Sequence, residues 1–274
     1  MSGRVAMAIG AHPDDVEFMM AGTLVLLKQA GFETHLMNLA SGSCGSATVP
    51  ASKLRAVRKR EGRAAADVLG AVFHPSLVDD LEIYYERKTL KRLAAVIREV
   101  KPSVLLVPSP QDYMEDHTNA CRLAVTAAFV RGMPNFVTQP ARLAVEGEVT
   151  LYHAMPHGLR DSLRQRVMAG AFVNTSRVME QKALALAAHK SQQAWLDTSQ
   201  KMNAYLATQE AFSREVGRMS RKFRHAEGWR RHLHYGFCDE SADPLREVLG
   251  GDYLVDPRYE AELEVPMGGG KRRK

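Results

Sequence analysis

Two polar clusters hold the residue types that could do chemistry. The first is Gly10-Ala-His12-Pro13-Asp14-Asp15-Val-Glu17, and the second is Pro108-Ser-Pro-Gln-Asp112-Tyr113-Met114-Glu115-Asp116-His117. His12 and Asp15 lie three positions apart, and Pro13 stiffens the turn between them. That turn offers one imidazole nitrogen and one carboxylate oxygen, and His117 adds a second imidazole. Three such donors leave a position open for water, the pattern of catalytic rather than structural zinc. Zinc would bring the pKa of that water down to about 7. Fe2+ or another divalent ion suits the same donors. Asp14 stands next to a ligand but cannot easily share its geometry, which leaves it as the general base. An Asp in either cluster could instead cap the helix that follows. One cap needs one side chain, and both clusters hold more polar groups than a cap uses.

For these clusters to meet, both must lie at the same edge of one sheet. Residues 5–9 form a short apolar run suited to a central parallel strand, and the first cluster follows directly. Residues 104–107 form another, and the second cluster follows that. In open α/β sheets ligands bind outside the carboxyl ends of the strands. Helical spacing over residues 17–30, 51–69, 91–100 and 118–131, with a strand over 34–39, gives an alternating order. The expected fold is α/β: a Rossmann-like, mostly parallel sheet with helices on both faces and a helical C-terminal elaboration. Residues 1–176 are read as the core. Residues 177–274 are read as a helical elaboration and terminal segment packed on it, one domain overall. A strand at 150–154 continues the sheet, Phe172-Val173 sits near its edge, and residues 178–231 are mostly helical.

Composition narrows the classes. With 274 residues, 45% hydrophobic and 25% charged, the chain can bury a full core without disulfides. Cys44, Cys121 and Cys238 are too scattered for a disulfide framework. Residues 1–10 hold no export signal, so a reducing cytoplasm is expected. No stretch reaches the length of a membrane span. The net charge of +6 comes largely from helix faces such as Arg55, Arg58, Lys59, Arg60 and Arg63, and from the tail Lys271-Arg272-Arg273-Lys274. No nucleic-acid-binding signature accompanies it, so nucleic acid is not an expected partner. The 13 Met residues and the helical second half leave room for homo-oligomerisation, although Met at helical spacing is more often core. Cys44 reads as structural, with no histidine visibly paired to it.

The ordered motifs resemble the LmbE/PIG-L family of zinc-dependent N-acetylglucosaminyl deacetylases. The resemblance rests on Ala11-His12-Pro13-Asp14-Asp15, Gly22-Thr23-Leu24, Leu39-Ala-Ser-Gly42, Arg58-x-x-Glu61, Asp80-Leu81, His117, and Lys182 with His189-Lys-Ser191-Gln192. It covers most of residues 4–195, with a weaker echo at Ala226-Glu227-Gly228-Trp229. It implies a Rossmann-like fold and hydrolysis of an N-acyl group on an amino-sugar conjugate. By the same resemblance His12, Asp15 and His117 bind zinc, Asp14 is the base, and Arg58 contacts the polar part of the substrate.

One departure stands out. The family's second motif reads His-Pro-Asp-His, where this chain has Met114-Glu115-Asp116-His117. Asp116 is then expected to orient the second nitrogen of His117, or the loop. The absent histidine would stabilise an oxyanion or protonate the leaving amine, which a thioether does poorly. Tyr113 and Asp112, also read as substrate contacts, are the nearest replacements in sequence. His153, His157, His232 and His234 are more distant ones. Two other readings use the same residues: a non-haem Fe(II) oxygenase with a two-His, one-carboxylate triad, and a non-catalytic sugar- or nucleotide-binding module.

Overall fold

The computed structural model describes residues 3–199 and 205–263, so the basic tail at 271–274 lies outside the described residues. Five strands run parallel to one another: β1 (Val5–Gly10), β2 (Glu33–Asn38), β3 (Val72–His74), β4 (Val104–Val107) and β5 (Thr150–Ala154). Three more, β6 (Ala171–Asn174), β7 (Ala226–Arg231) and β8 (Tyr253–Val255), extend the sheet with antiparallel pairings. The full order is β3-β2-β1-β4-β5-β7-β6-β8. The chain winds outward from β1 to β3, then returns to lay β4 on the other side of β1. That reversal opens the crevice in which doubly wound sheets bind ligands.

Alternation along each strand builds two cores. Ala6, Ala8, Leu36 and Leu106 face one side, where they pack with α2 (Ala21–Gln29) and α3 (Ala51–Leu69). Met7, Ile9, Leu105 and Val107 face the other, against α4 (Arg87–Val100) and α5 (Glu115–Phe129). Strands covered on both faces are almost wholly apolar, which is why β1 and β4 are visible in the sequence as short unbroken runs. The Rossmann-like α/β class expected from the sequence is the one found.

Two details differ from the sequence reading, each for a traceable reason. The helix expected over residues 17–30 is split at Met20 into α1 (Asp15–Met19) and α2. The break frees the first amides of α2, and Glu227 satisfies them: Gly22 and Thr23 donate to its two carboxylate oxygens at 2.8 and 2.7 Å. The helical stretch expected to run to residue 231 consists of α6 (Met179–Ala187), α7 (Lys190–Ser199) and α8 (Tyr205–Ser220), and then gives way to β7. β7 is an interior strand. It buries Trp229, whose indole N–H donates to Thr23 Oγ1 at 3.0 Å, and Gly228 lies against Met155 and Ala169. Phe172-Val173 belongs to β6, which pairs with the edge strand β8 and so sits near the sheet's edge as expected. Two short helices, α9 (Pro244–Leu249) and α10 (Pro257–Leu263), flank β8. No helix among the described residues is long and apolar enough to cross a membrane.

Candidate metal centre

The loop after β1 and the start of α5 meet at the strand-order reversal. One donor atom each from His12, Asp15 and His117 lies within 4.8 Å of the other two. Asp15 is fixed first by its own loop, since its Oδ2 accepts the backbone N–H groups of Ala11 and His12 at 3.0 and 2.8 Å.

Both histidines are oriented by carboxylates. Nε2 of His12 donates to Oδ2 of Asp116 at 2.9 Å, and Nδ1 of His117 donates to Oδ1 of Asp112 at 3.0 Å. An ionised carboxylate only accepts, so each nitrogen facing one carries the hydrogen. In the neutral rings the lone pairs are left on Nδ1 of His12 and Nε2 of His117. Those two atoms are 3.8 and 3.5 Å from Asp15 Oδ2. The donor set therefore suits a small divalent ion in tautomer, charge and spacing alike.

The protons respond to this crowding. Burial alone would lower the pKa of His117, but the charges of Asp15 and Asp112 outweigh it and push it up to about 9. Asp15 moves the other way: His117 and His12 overcome burial and hold its carboxyl below the usual range. Asp116 is likewise held low, with burial outweighed by His12 and the Leu81 N–H.

Asp14 is 6% exposed and has a left-handed φ of 118°. Its Oδ2 accepts a 2.5 Å hydrogen bond from the hydroxyl of Tyr205, at the start of α8. Burial raises its pKa to about 6, against the opposing pull of the Arg58 guanidinium. Behind it, Glu17 and His189 form a fully buried pair 3.1 Å apart.

Arg58 is 1% exposed, and its Nη2 donates to the Pro13 carbonyl at 2.8 Å, which pins the metal loop from α3. The close approach needs Gly42. A Cβ there would sit 2.4 Å from Arg58 Nε, and the backbone φ of +76° disfavours one in any case. Gly42 and Cys44 also donate to the two oxygens of Asp80, at 2.6 and 2.8 Å. Over these groups lies an open cavity of about 340 Å³, lined by His12, Asp14, Asp15, Arg58, His117 and Tyr113, among others.

The residues read from the sequence are distributed unevenly here. Tyr113 stands at the mouth, 59% exposed, with burial of its remaining surface pushing its phenol up to about 12. Asp112 is 8% exposed, and its oxygens are taken by His117, by Met114 N–H at 3.1 Å and by His157 N–H at 3.4 Å. It orients His117, the part the sequence reading gave to Asp116, while Asp116 orients His12. The sequence reading did not single out Tyr205, Glu17 or His189 as site residues. Glu17 closes the first polar cluster and His189 belongs to a motif already quoted, whereas Tyr205 sits in no local pattern that would mark it.

The sequence model of the PIG-L family, described as GlcNAc-PI de-N-acetylase, matches residues 7–129. Over that stretch the chain is similar to the PIG-L family. The matched PIG-L stretch holds all three donors and Asp14 but stops short of Tyr205 and His157. Among relatives, the diacetylchitobiose deacetylase of Thermococcus kodakarensis is 29% identical over 68% of this chain and 69% of its own length. A 4-oxalmesaconate hydratase of Pseudomonas putida is also 29% identical, over 56% of this chain and 61% of its own. The N,N'-diacetylchitobiose deacetylase structure from Pyrococcus horikoshii superposes with a TM-score of 0.70 at 22% identity, covering 87% of this chain and 88% of that one. That likeness concerns the fold.

Proposed function

We propose that this chain is a metal-dependent hydrolase that removes an N-acetyl group from an amino sugar or sugar conjugate. The observation that carries the reading is the meeting of His12, Asp15 and His117 within 4.8 Å, beside a buried carboxylate on the next residue. Zinc is the ion best suited to two imidazoles and one carboxylate, and Nδ1 of His12, Asp15 and Nε2 of His117 would hold it. When bound there, it supplies Lewis acidity toward an acyl oxygen and toward water.

The chain's own residues do the rest. Asp14 takes a proton from the attacking water and returns it to the nitrogen as the C–N bond breaks. Tyr205 holds that carboxylate in place. Arg58 fixes the loop and faces the polar end of the substrate, and Tyr113 offers an aromatic surface at the mouth for a sugar ring. The relative that acts on diacetylchitobiose, by its name, supports an N-acetylated amino sugar. Free Cys44, Cys121 and Cys238 fit a reducing cytoplasm. An Fe(II) oxygenase would have no use for the second carboxylate at Asp14, and a binding module would need neither Asp14 nor the oriented imidazoles.

Purified protein and its His117→Ala variant should be compared for metal content and for amine release from a panel of N-acetylated amino sugars. Near-stoichiometric metal with amine release, both lost in the variant, is the expected result. Bound metal with no turnover of any amide would overturn the reading. A second reading then takes over, favoured by the hydratase relative and by the thioether at Met114. In it the same residues activate water for addition to a double bond conjugated with a carboxylate, followed as loss of ultraviolet absorbance.

A further inference from the structure

Amide hydrolysis places negative charge on the acyl oxygen, and a hydrogen-bond donor aimed at that oxygen is a large source of rate. Among the groups around the cavity, Asp14, Asp15 and the Asp80 carboxylate cannot donate when ionised. The N–H groups of His12 and His117 are spent on Asp116 and Asp112. Met114 brings a thioether, which has no hydrogen to give.

The four histidines singled out from the sequence, His153, His157, His232 and His234, go to different places. His153 and His232 bond to each other at 2.9 Å, and His153 also touches Cys121 and the Pro108 carbonyl. His234 meets the ring of Tyr235 edge-on. His157 alone of the four lines the cavity that holds the three donors and Asp14.

His157 follows β5 in a short 3-10 turn, His157–Leu159. Its ring is held edge-on by Phe18 and Phe212, with centroids 5.4 and 5.0 Å away, and faces Tyr113 at 6.3 Å. Its backbone N–H meets Oδ2 of Asp112, whose other oxygen holds His117. One carboxylate thus sets the position of a metal-binding imidazole and of the His157 backbone together. Among the described residues, the contacts seen for the His157 ring are those with Phe18, Tyr113 and Phe212.

Resting on the deacetylase reading above, we propose that the His157 ring N–H donates to the acyl oxygen as it becomes an oxyanion. It thereby supplies from β5 the donor that Met114 cannot. Burial lowers the pKa of His157, so the ring is a neutral donor that keeps its proton throughout. Water adds its oxygen to the acyl carbon, the carbonyl electron pair moves onto the oxygen facing His157, and Asp14 takes the water proton. When the pair returns, the C–N bond breaks and the nitrogen receives that proton.

The test compares His157→Ala, His157→Gln and Tyr113→Phe with the parent protein. The substrate is an N-acetylated amino sugar, and the inhibitor is an amino sugar carrying a methylphosphonyl group in place of acetyl. Metal content is measured for each protein. Loss of one oxyanion donor should lower kcat of His157→Ala by about 100-fold with little change in KM. Gln, which keeps an N–H, should restore part of it. Affinity for the tetrahedral phosphonyl compound should fall in step with kcat/KM across the series, with metal content unchanged. A parent-like His157→Ala, or a loss confined to Tyr113→Phe, would overturn the assignment while leaving the deacetylase standing. Loss of metal in both His157 variants would also overturn it, since the residue would then be holding the site together. A parent protein that cleaves no acetamide and ignores the phosphonyl compound would remove the deacetylase reading and this one together.

Discussion

The hydroxyl of Tyr205 donates a 2.5 Å hydrogen bond to Oδ2 of Asp14, joining residues 191 positions apart in a buried contact. The bond favours the ionised carboxylate, so it works against the burial that raises the pKa of Asp14 to about 6. Tyr205→Phe removes that support, and the pKa must then rise further. If Asp14 is the base, the acid limb of kcat/KM lies near pH 6 in the parent protein and moves to higher pH in the variant. A hydrogen bond to a charged group contributes about 1.5–3 kcal/mol, so a shift of one unit or more is expected. A pH–rate profile unmoved by Tyr205→Phe would separate the tyrosine from the base.

Metal binding should release protons. In the metal-free protein His117 titrates near 9, so at pH 7 its ring is charged and must lose a proton to coordinate. Affinity for zinc should therefore climb by about tenfold per pH unit just below pH 9 and flatten above it. The slope should steepen at lower pH, where His12, its own pKa raised against burial by Asp116 and Asp15, gives up a second proton. Chelator competition across pH measures the slope, and a flat dependence between pH 6 and 9 would contradict it.

The two orienting carboxylates give a paired expectation. Asp112→Asn loosens His117, and Asp116→Asn loosens His12. Each should weaken metal affinity by about 10–100-fold, as such outer partners usually do. Equilibrium dialysis would show it, and an effect in neither variant would mean that the loops alone set the ligands.

Glu227 and Lys182 form a fully buried pair 2.7 Å apart, and the same carboxylate caps α2. Glu227→Gln leaves the ammonium of Lys182 buried without its counter-charge. A destabilisation of about 3–5 kcal/mol is expected in urea unfolding. Lys182→Met with Glu227→Gln should recover part of it, because the uncompensated charge is gone.

How legible the site was depended on how local each signal is. His12, Asp15 and His117 could be found because each follows a short apolar strand, and polar residues at such ends have no packing role to explain them. Asp112 and Asp116 were harder. Asp116 is the sequence neighbour of His117, but both lie in the first turn of α5, where neighbours point about 100° apart around the axis. Asp112 reaches His117 because the loop before α5 folds back, and no spacing rule shows that. Trp229 was hidden by the charged residues around it in β7, although β7 is interior to the sheet. Tyr205 and His157 reach the site only through packing, so the alternation of strands and helices could not single them out.

The capping of α2 by Glu227 also bears on the order of events during synthesis. The first cluster emerges early, yet the helices behind it end in amides whose partner appears some 200 residues later. Asp14 waits similarly for Tyr205. Contacts of such long range close late, because the loop entropy must be overcome before they form. A chain still tethered to the ribosome at residue 199 can wind β1 to β5, but it has neither the carboxylate nor the phenol that locks the loop. Nascent chains arrested at successive lengths should therefore stay sensitive to protease at residues 12–22 until β7 has cleared the exit tunnel.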